Sequence, residues 1–372
     1  MIPLGATDWA KNRLRHRRTP SISLSMKIPA FIALFLSLLA GSLAGCHKKA
    51  PEQAVDTSGV HAVKDALRTE TYAFRMETRQ AYNNRRFDEL EHKADELHVS
   101  RAVFPNGSWK IAQFHDALGC RDDEPESMWQ LHDTIHQEWI AAYPDSITAR
   151  VAYADFFVDY AWHARGSGYA DKVSPEGWKL FEARLTKARE ILDAARALPM
   201  KDAVWWTVSL RVALGQGWLK GDYDALMKEA KDYSPVFWGY DTARAYSLLP
   251  RWHGEPGDWE DYALQASRAE NGLGAEIYAR IVMNLAGYHR NVFEETKASW
   301  PKTREGLEAM RKKYPDFREV TNWAAKLAVL AKDYPEASRM FALLGDSYDP
   351  GAWRDVQQFL FFRKQALAGA AP

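Results

Sequence analysis

The stretch Phe317-Arg318-Glu319-Val320-Thr321-Asn322-Trp323-Ala324-Ala325-Lys326-Leu327-Ala328-Val329-Leu330-Ala331 decides the fold. Val320, Trp323, Ala324, Leu327, Leu330 and Ala331 recur at spacings of three and four, which draws one apolar stripe along an α-helix. Similar stripes run through about 60–82, 146–164, 176–197, 203–219, 236–249 and 273–287, and a further helix is expected over 126–142. Proline punctuates the stops at Leu198-Pro199, Ser234-Pro235, Leu249-Pro250, Trp300-Pro301, Tyr314-Pro315 and Asp349-Pro350, because it cannot continue a helical hydrogen-bond ladder. Strand signals are nearly absent. The exception lies near 101–112, where Asn106-Gly107 between apolar runs predicts one small hairpin. Ser108 offers the alternative there, as the cap of a helix running to Leu118.

A degenerate unit repeats. A polar turn, an aromatic and then alanine or leucine open the second helix of several pairs: Arg86-Phe87-Asp88-Glu89-Leu90, Asp222-Tyr223-Asp224-Ala225-Leu226, Asp258-Trp259-Glu260-Asp261-Tyr262-Ala263 and Asp333-Tyr334-Pro335-Glu336-Ala337. The aromatics at 223, 259 and 334 are separated by 36 and 75 residues, near one and two units of about 37. That period resembles paired-helix arrays of the tetratricopeptide kind. A single pair cannot bury its apolar face, so neighbours must stack into one continuous core. Coincident loop lengths would give the same spacing, and an all-α fold survives either way. The expectation is an all-α chain of stacked antiparallel helix pairs over 60–372.

Upstream, a basic segment (Lys11, Arg13, Arg15, Arg17, Arg18 and Lys27 against Asp8) precedes the apolar run Ile28-Pro29-Ala30-Phe31-Ile32-Ala33-Leu34-Phe35-Leu36-Ser37-Leu38-Leu39. This run is too short for the ~20 residues of a membrane span. It ends in Leu43-Ala44-Gly45-Cys46, an arrangement that resembles a bacterial lipoprotein signal peptide. The resemblance implies acylation of Cys46, a leader over 1–45 whose start is as compatible with Met26 as with Met1, and a membrane as first partner. His47 after the cysteine favours the outer membrane of a Gram-negative envelope, with the protein facing the periplasm; Lys48-Lys49 leave the inner membrane open. Each acyl methylene contributes ~0.8 kcal/mol, so several chains hold a polypeptide at a bilayer durably. Residues 46–59, small and polar around Pro51, read as a flexible tether.

Composition narrows the partners. The whole chain carries 49 Lys and Arg against 49 Asp and Glu, and removing the leader takes away six basic residues and one acidic one. The acidic remainder lacks the basic face that nucleic acid requires. Cys120 is the only other cysteine, so no intrachain disulfide forms once Cys46 is acylated. Stability must come from a core, and 47% apolar residues with fifteen Trp, sixteen Tyr and sixteen Phe supply one.

Two blocks, Tyr143-Pro144-Asp145-Ser146 leading into Tyr160-Ala161-Trp162-His163-Ala164-Arg165-Gly166-Ser167-Gly168-Tyr169-Ala170, and Leu249-Pro250-Arg251-Trp252-His253-Gly254-Glu255-Pro256-Gly257-Asp258-Trp259, resemble an uncharacterised helical family of bacterial proteins, a domain of unknown function. The resemblance spans about 85–285. It implies a helical domain and supplies no activity.

Candidate chemistry is sparse. His132 and His136, four apart on the expected helix, have the spacing of a zinc pair, but no third ligand follows at a useful distance and a solvated helix face is the expectation. Asp155, Asp159 and His163 fall at i, i+4 and i+8, so they are expected to share one face that runs into Arg165 and the Gly-rich turn. Carboxylates in register with an imidazole suit proton transfer, a metal site or a ligand groove, and a hydrolase built on these residues is the catalytic alternative. Gly166-Ser167-Gly168 lacks the strand and the Lys-Ser/Thr of a phosphate loop, so no nucleotide or other cofactor is implied. Trp162, His163, Arg165, Trp252 and His253 are candidates for contacting a partner or cell-wall glycan, although tryptophans at such a turn more often fill the gap between stacked helix pairs. Cys120 lies in an acidic setting that would raise its pKa. The leading expectation is a non-catalytic envelope lipoprotein whose helical array binds a protein or peptide.

Overall fold

The computed structural model describes residues 57–369 apart from Ser58, Lys64, Asp65 and Ser167; Cys46, the leader and most of the tether lie outside them. Among the described residues the first helices are α1 (Ala66–Asn83), α2 (Phe87–Ser100), α3 (Lys110–Asp116) and α4 (Glu126–Ala142). Next come α5 (Ile147–Arg165), α6 (Pro175–Arg196), α7 (Ala203–Gln216) and α8 (Lys220–Tyr233). They are followed by α9 (Trp238–Ser247), α10 (Asp258–Ser267), α11 (Ala275–Leu285) and the one-turn α12 (Val292–Glu295). The last are α13 (Trp300–Lys313), α14 (Arg318–Leu330), α15 (Tyr334–Leu344) and α16 (Val356–Gly369). None is long and apolar enough to cross a membrane.

The helices stack in two layers. α5, α7, α9 and α11 touch in succession, while α6, α8 and α10 each pack against the two that flank them in sequence. The array continues through α13, α14, α15 and α16. Short connections force consecutive helices antiparallel, and the result is the expected all-α array of paired helices. In three of its four copies the aromatic unit has a clear physical role: Phe87, Tyr223 and Trp259 are buried in the first turn of α2, α8 and α10, with Leu90, Leu226 and Ala263 buried one turn later, whereas Tyr334 at the start of α15 is half-buried and only Ala337 is buried. Each pair wedges the start of an outer helix against its inner neighbour.

Local capping sets the boundaries. Ser146 Oγ accepts from Ala149 N at 2.9 Å to open α5, and Ser174 Oγ accepts from Gly177 N at 3.0 Å to open α6. α14, the helix of the opening stretch, buries more than its stripe: Asn322, Ala325, Ala328 and Val329 are buried as well, because α13 and α15 cover it from two sides. Buried Asn322 makes three hydrogen bonds; its Oδ1 accepts from Trp353 Nε1 at 2.8 Å and Asp349 N at 3.1 Å, and its Nδ2 donates to the Arg318 carbonyl.

Near 101–112 the expected turn forms and a short helix follows it, but the expected Ser108 cap is not made. Val103 and Trp109 form one antiparallel bridge around the Asn106-Gly107 turn, and α3 then starts at Lys110, capped by neither Ser108 nor any other side chain. Ser108 instead donates to Asn106 Oδ1 at 2.6 Å. At the other extreme of the chain, β1 (His61–Ala62) pairs in parallel with β2 (Ser347–Tyr348), and Arg68 on α1 forms an ion pair with buried Asp349. These contacts bring the first helix to the last pairs of the array. α1 thus runs from the C-terminal end across to α2 and α3.

Candidate functional site

Where α1 passes over the inner layer it roofs a cleft of about 770 Å³. Arg68, Arg75 and Arg79 line it from α1, His115 and Asp116 from α3, Asp155 and Asp159 from α5, and Arg211 from α7. The helical register explains the wall: Arg68, Arg75 and Arg79 repeat at seven and four along α1 and so project from one side. Arg75 donates to the Asp116 carbonyl at 3.2 Å, and Arg79 donates to the carbonyls of Ala117 at 3.1 Å and Gly119 at 2.6 Å. The arginines therefore hold the end of α3 in place as well as charging the cleft.

At the floor, Arg211 forms ion pairs with both Asp155 and Asp159. Burial pushes the Asp155 carboxyl up to about 6; Arg211 opposes that rise and the like charge of Asp159 adds to it. Burial disfavours the charged Arg211 guanidinium, but the two carboxylates more than offset this and hold it firmly protonated. Asp116 opens to the cleft yet is crowded by protein, which raises its carboxyl despite nearby Arg75.

Deeper lies a second pair. His115 Nε2 meets Asp202 Oδ2 at 2.7 Å, both buried, while Asp202 Oδ1 accepts from Val204 N at 2.8 Å and caps α7. Burial alone would lower the His115 pKa; the charge and hydrogen bond of Asp202 outweigh it and raise it. Asp202 is the converse case, raised by burial but brought below its ordinary value by His115. His115 Nδ1 is buried without a hydrogen-bond partner.

The expected Asp155–Asp159–His163 face is divided. The two carboxylates reach the cleft, whereas His163 stacks on Trp129 with ring centroids 4.7 Å apart and does not line it. The 3.6-residue repeat advances about 40° over each four-residue step, so over eight residues the stripe rotates off the face. Arg165 also leaves the cleft: its guanidinium sits over Trp162 and Trp178 at 5.4 Å each and over Trp252 at 5.6 Å. Trp162 and Trp252 meet edge to face at 5.5 Å, and His253 Nε2 donates to the Leu214 carbonyl at 3.2 Å. The two sequence blocks at 160–170 and 249–259 thus join as a brace between helix pairs, the packing role expected of tryptophans at a turn.

His132 and His136 correct another expectation. They are buried, at 1% and 0% exposure, and face no solvent. Tyr153, Phe156 and Tyr82 surround His136, whose two ring nitrogens have no hydrogen-bond partner. Burial lowers both imidazole pKa values, that of His132 to about 4. Cys120 behaves as expected in direction, its thiol pushed up by burial and then by Glu124. Cys46, the lipidation candidate, lies outside the described residues.

Arg211 and the His115–Asp202 pair escaped the sequence reading. Arg211 did carry a signal, as the single charged residue within apolar α7, since a charge buried there needs a partner. His115 and Asp202 are 87 residues apart, and no local pattern joins them. Comparison with models of protein families, with characterised proteins and with solved structures gave no match for this chain.

Proposed function

We propose that this chain is a lipid-anchored protein of a Gram-negative cell envelope, most consistent with the outer membrane, whose helical array binds a protein or peptide partner in the cleft under α1. The observation that carries the reading is that cleft, about 770 Å³ with guanidinium and carboxylate groups on its walls. Ligand sites commonly enclose ~300–1,000 Å³, and mixed charge suits a peptide segment bearing both carboxylate and ammonium groups. The groups with chemical potential are already engaged: Asp155 and Asp159 by Arg211, and His115 by Asp202. The Cys120 thiol is held protonated and so is a poor nucleophile. The Cys46 leader motif supports the anchor, and palmitate labelling lost in Cys46→Ser tests it.

A photoreactive side chain at Tyr72, which lines the cleft and is 65% exposed, tests the binding reading in intact cells. Capture of a discrete partner is expected there, with none from Val99, which is exposed outside the cleft. Arg75→Glu should abolish the capture. Equal labelling from both positions would sink the proposal. A hydrolytic reading draws on Asp155 near 6 beside His115; turnover of ester, peptide or glycoside substrates that Asp155→Asn eliminates would favour it. The glycan reading has less support, because Trp162 and Trp252 are occupied by Arg165. Quenching of tryptophan fluorescence by cell-wall fragments would revive it.

A further inference from the structure

We propose that Cys120, Glu124 and His132 form a binding site for a zinc-like divalent cation at the edge of the cleft. The thiol sulfur, a carboxylate oxygen and an imidazole nitrogen of these residues all lie within 4.8 Å of one another. A tetrahedral zinc with bonds of about 2.0–2.3 Å spaces its donors about 3.5 Å apart, so a small contraction closes the set. Sulfur among the donors selects zinc-like metals over magnesium or calcium.

The surrounding structure favours this arrangement in three ways. Glu124 Oε2 meets no protein N–H or O–H; the carboxylate interacts instead with the Cys120 thiol and, at 3.9 Å, with Arg79. Loss of the thiol proton to solvent would free both donors for one cation. Second, the Tyr82 hydroxyl lies 3.3 Å from the His132 carbonyl, to which it donates, and 3.2 Å from His132 Nδ1. A metal at Nε2 calls for the tautomer in which this hydroxyl accepts from Nδ1–H, and it would replace the ring's present interaction with the Leu118 backbone. Third, the loop carrying Cys120 is pinned by the Arg79 hydrogen bonds to the carbonyls of Ala117 and Gly119, while Glu124 N donates to the Arg121 carbonyl at 3.1 Å. Cys120 lines the cleft, so the fourth coordination position is open to water or to a ligand donor.

Binding balances simply. The Cys120 S–H bond breaks, its proton passes to solvent and the sulfur–metal bond forms, with no change of oxidation state. The site stands independently of the peptide reading of the cleft. Titration of the purified, chelator-stripped full chain with Co²⁺ tests it. One equivalent should develop a thiolate-to-cobalt absorption in the near ultraviolet, release one proton at pH 7, and be displaced by Zn²⁺. Cys120→Ser should abolish both the band and the proton, and Glu124→Gln should weaken affinity at least tenfold, with circular dichroism confirming that each variant is folded. No band at several-fold excess of Co²⁺ would overturn the proposal. A band that survives Cys120→Ser, or that disappears only with Cys46→Ser, would overturn it equally.

Discussion

Replacing His136 by phenylalanine should stabilise this protein, and more so in acid. The imidazole is fully buried, with neither ring nitrogen hydrogen-bonded, among Tyr82, Tyr153 and Phe156 at centroid distances of 5.1, 5.5 and 5.4 Å. Leaving a buried polar group unmet costs about 1–3 kcal/mol, so two nitrogens at the lower limit cost about 2 kcal/mol. Phenylalanine removes that cost and keeps the ring contacts, but its larger ring returns about 1 kcal/mol as overpacking. The net gain at pH 7 is about 1 kcal/mol.

Acidity widens the gap. Burial holds the His136 pKa well below its ordinary value, with the charges of His132, His115 and Arg79 adding to the effect. The unfolded chain therefore takes up a proton that the native state refuses, and stability present above about pH 6.5 is lost as pH falls. The limiting slope is about 1.4 kcal/mol per pH unit, so between pH 6.5 and 5 the wild type should lose roughly 2 kcal/mol relative to the variant. His132, with its pKa near 4, and Asp155, near 6, titrate in both proteins and cancel in the comparison. Urea unfolding of both at pH 7, 6 and 5 measures it. A variant destabilised by more than 2 kcal/mol at pH 7, or two parallel pH curves, would refute the reasoning.

Arg211→Met should cost about 2 kcal/mol at pH 7, less than the ~3–5 kcal/mol of a fully buried pair because the three side chains are 19–33% exposed. Arg211 lowers the Asp155 carboxyl to about 6, so its removal sends that carboxyl higher still; the loss is therefore a high-pH effect, present above about 6, and should shrink on acidification to pH 5 in urea titrations. Asp202→Asn preserves the cap on Val204 but strips the charge from buried His115, and should lower stability by about 3 kcal/mol; Asp202→Ala should cost about 1 kcal/mol more through loss of the cap. Equal losses in the two variants would show that the cap carries no weight. Gly306→Ala should destabilise by about 1–3 kcal/mol in thermal unfolding, because its Cβ would stand 2.2 Å from the Ala275 carbonyl where α13 packs on α11, whereas Gly221→Ala on open α8 should be neutral or slightly stabilising.

Much of the architecture was legible because helices are written locally. The stripe at Val320, Trp323, Ala324 and Leu327 and the aromatics opening α2, α8 and α10 report the 3.6 period and the start of a helix, whatever surrounds them, whereas the caps Ser146 and Ser174 emerged only in the structure. The candidate site was far less legible. Asp155 and Asp159 read as one face of α5, but nothing nearby identified Arg211 as their counter-ion, and eight residues of rotation carried His163 onto Trp129 instead. His132 and His136 read as solvated because two histidines on a mixed helix look alike whether water or Tyr82 and Phe156 cover them.

The sequence by itself determined the all-α class, the course of most helices and the need of neighbouring pairs to stack, since each follows from interactions within a few residues; it misplaced Trp300-Pro301, which opens α13 because proline is tolerated in a first turn, and residues 61–62, which pair as a strand ahead of α1. Only the tertiary structure decided that α1 roofs a cleft, that β1 joins β2, and that His115 meets Asp202 and Glu124 meets His132 and Cys120. Those groups come from separate turns and helices, as far as 286 residues apart in the case of His61 and Ser347, and are brought together by how the layers stack. A charged side chain has the same local signature in water as in a buried pair; what differs is the distant surface packed over it, which no short stretch of chain encodes.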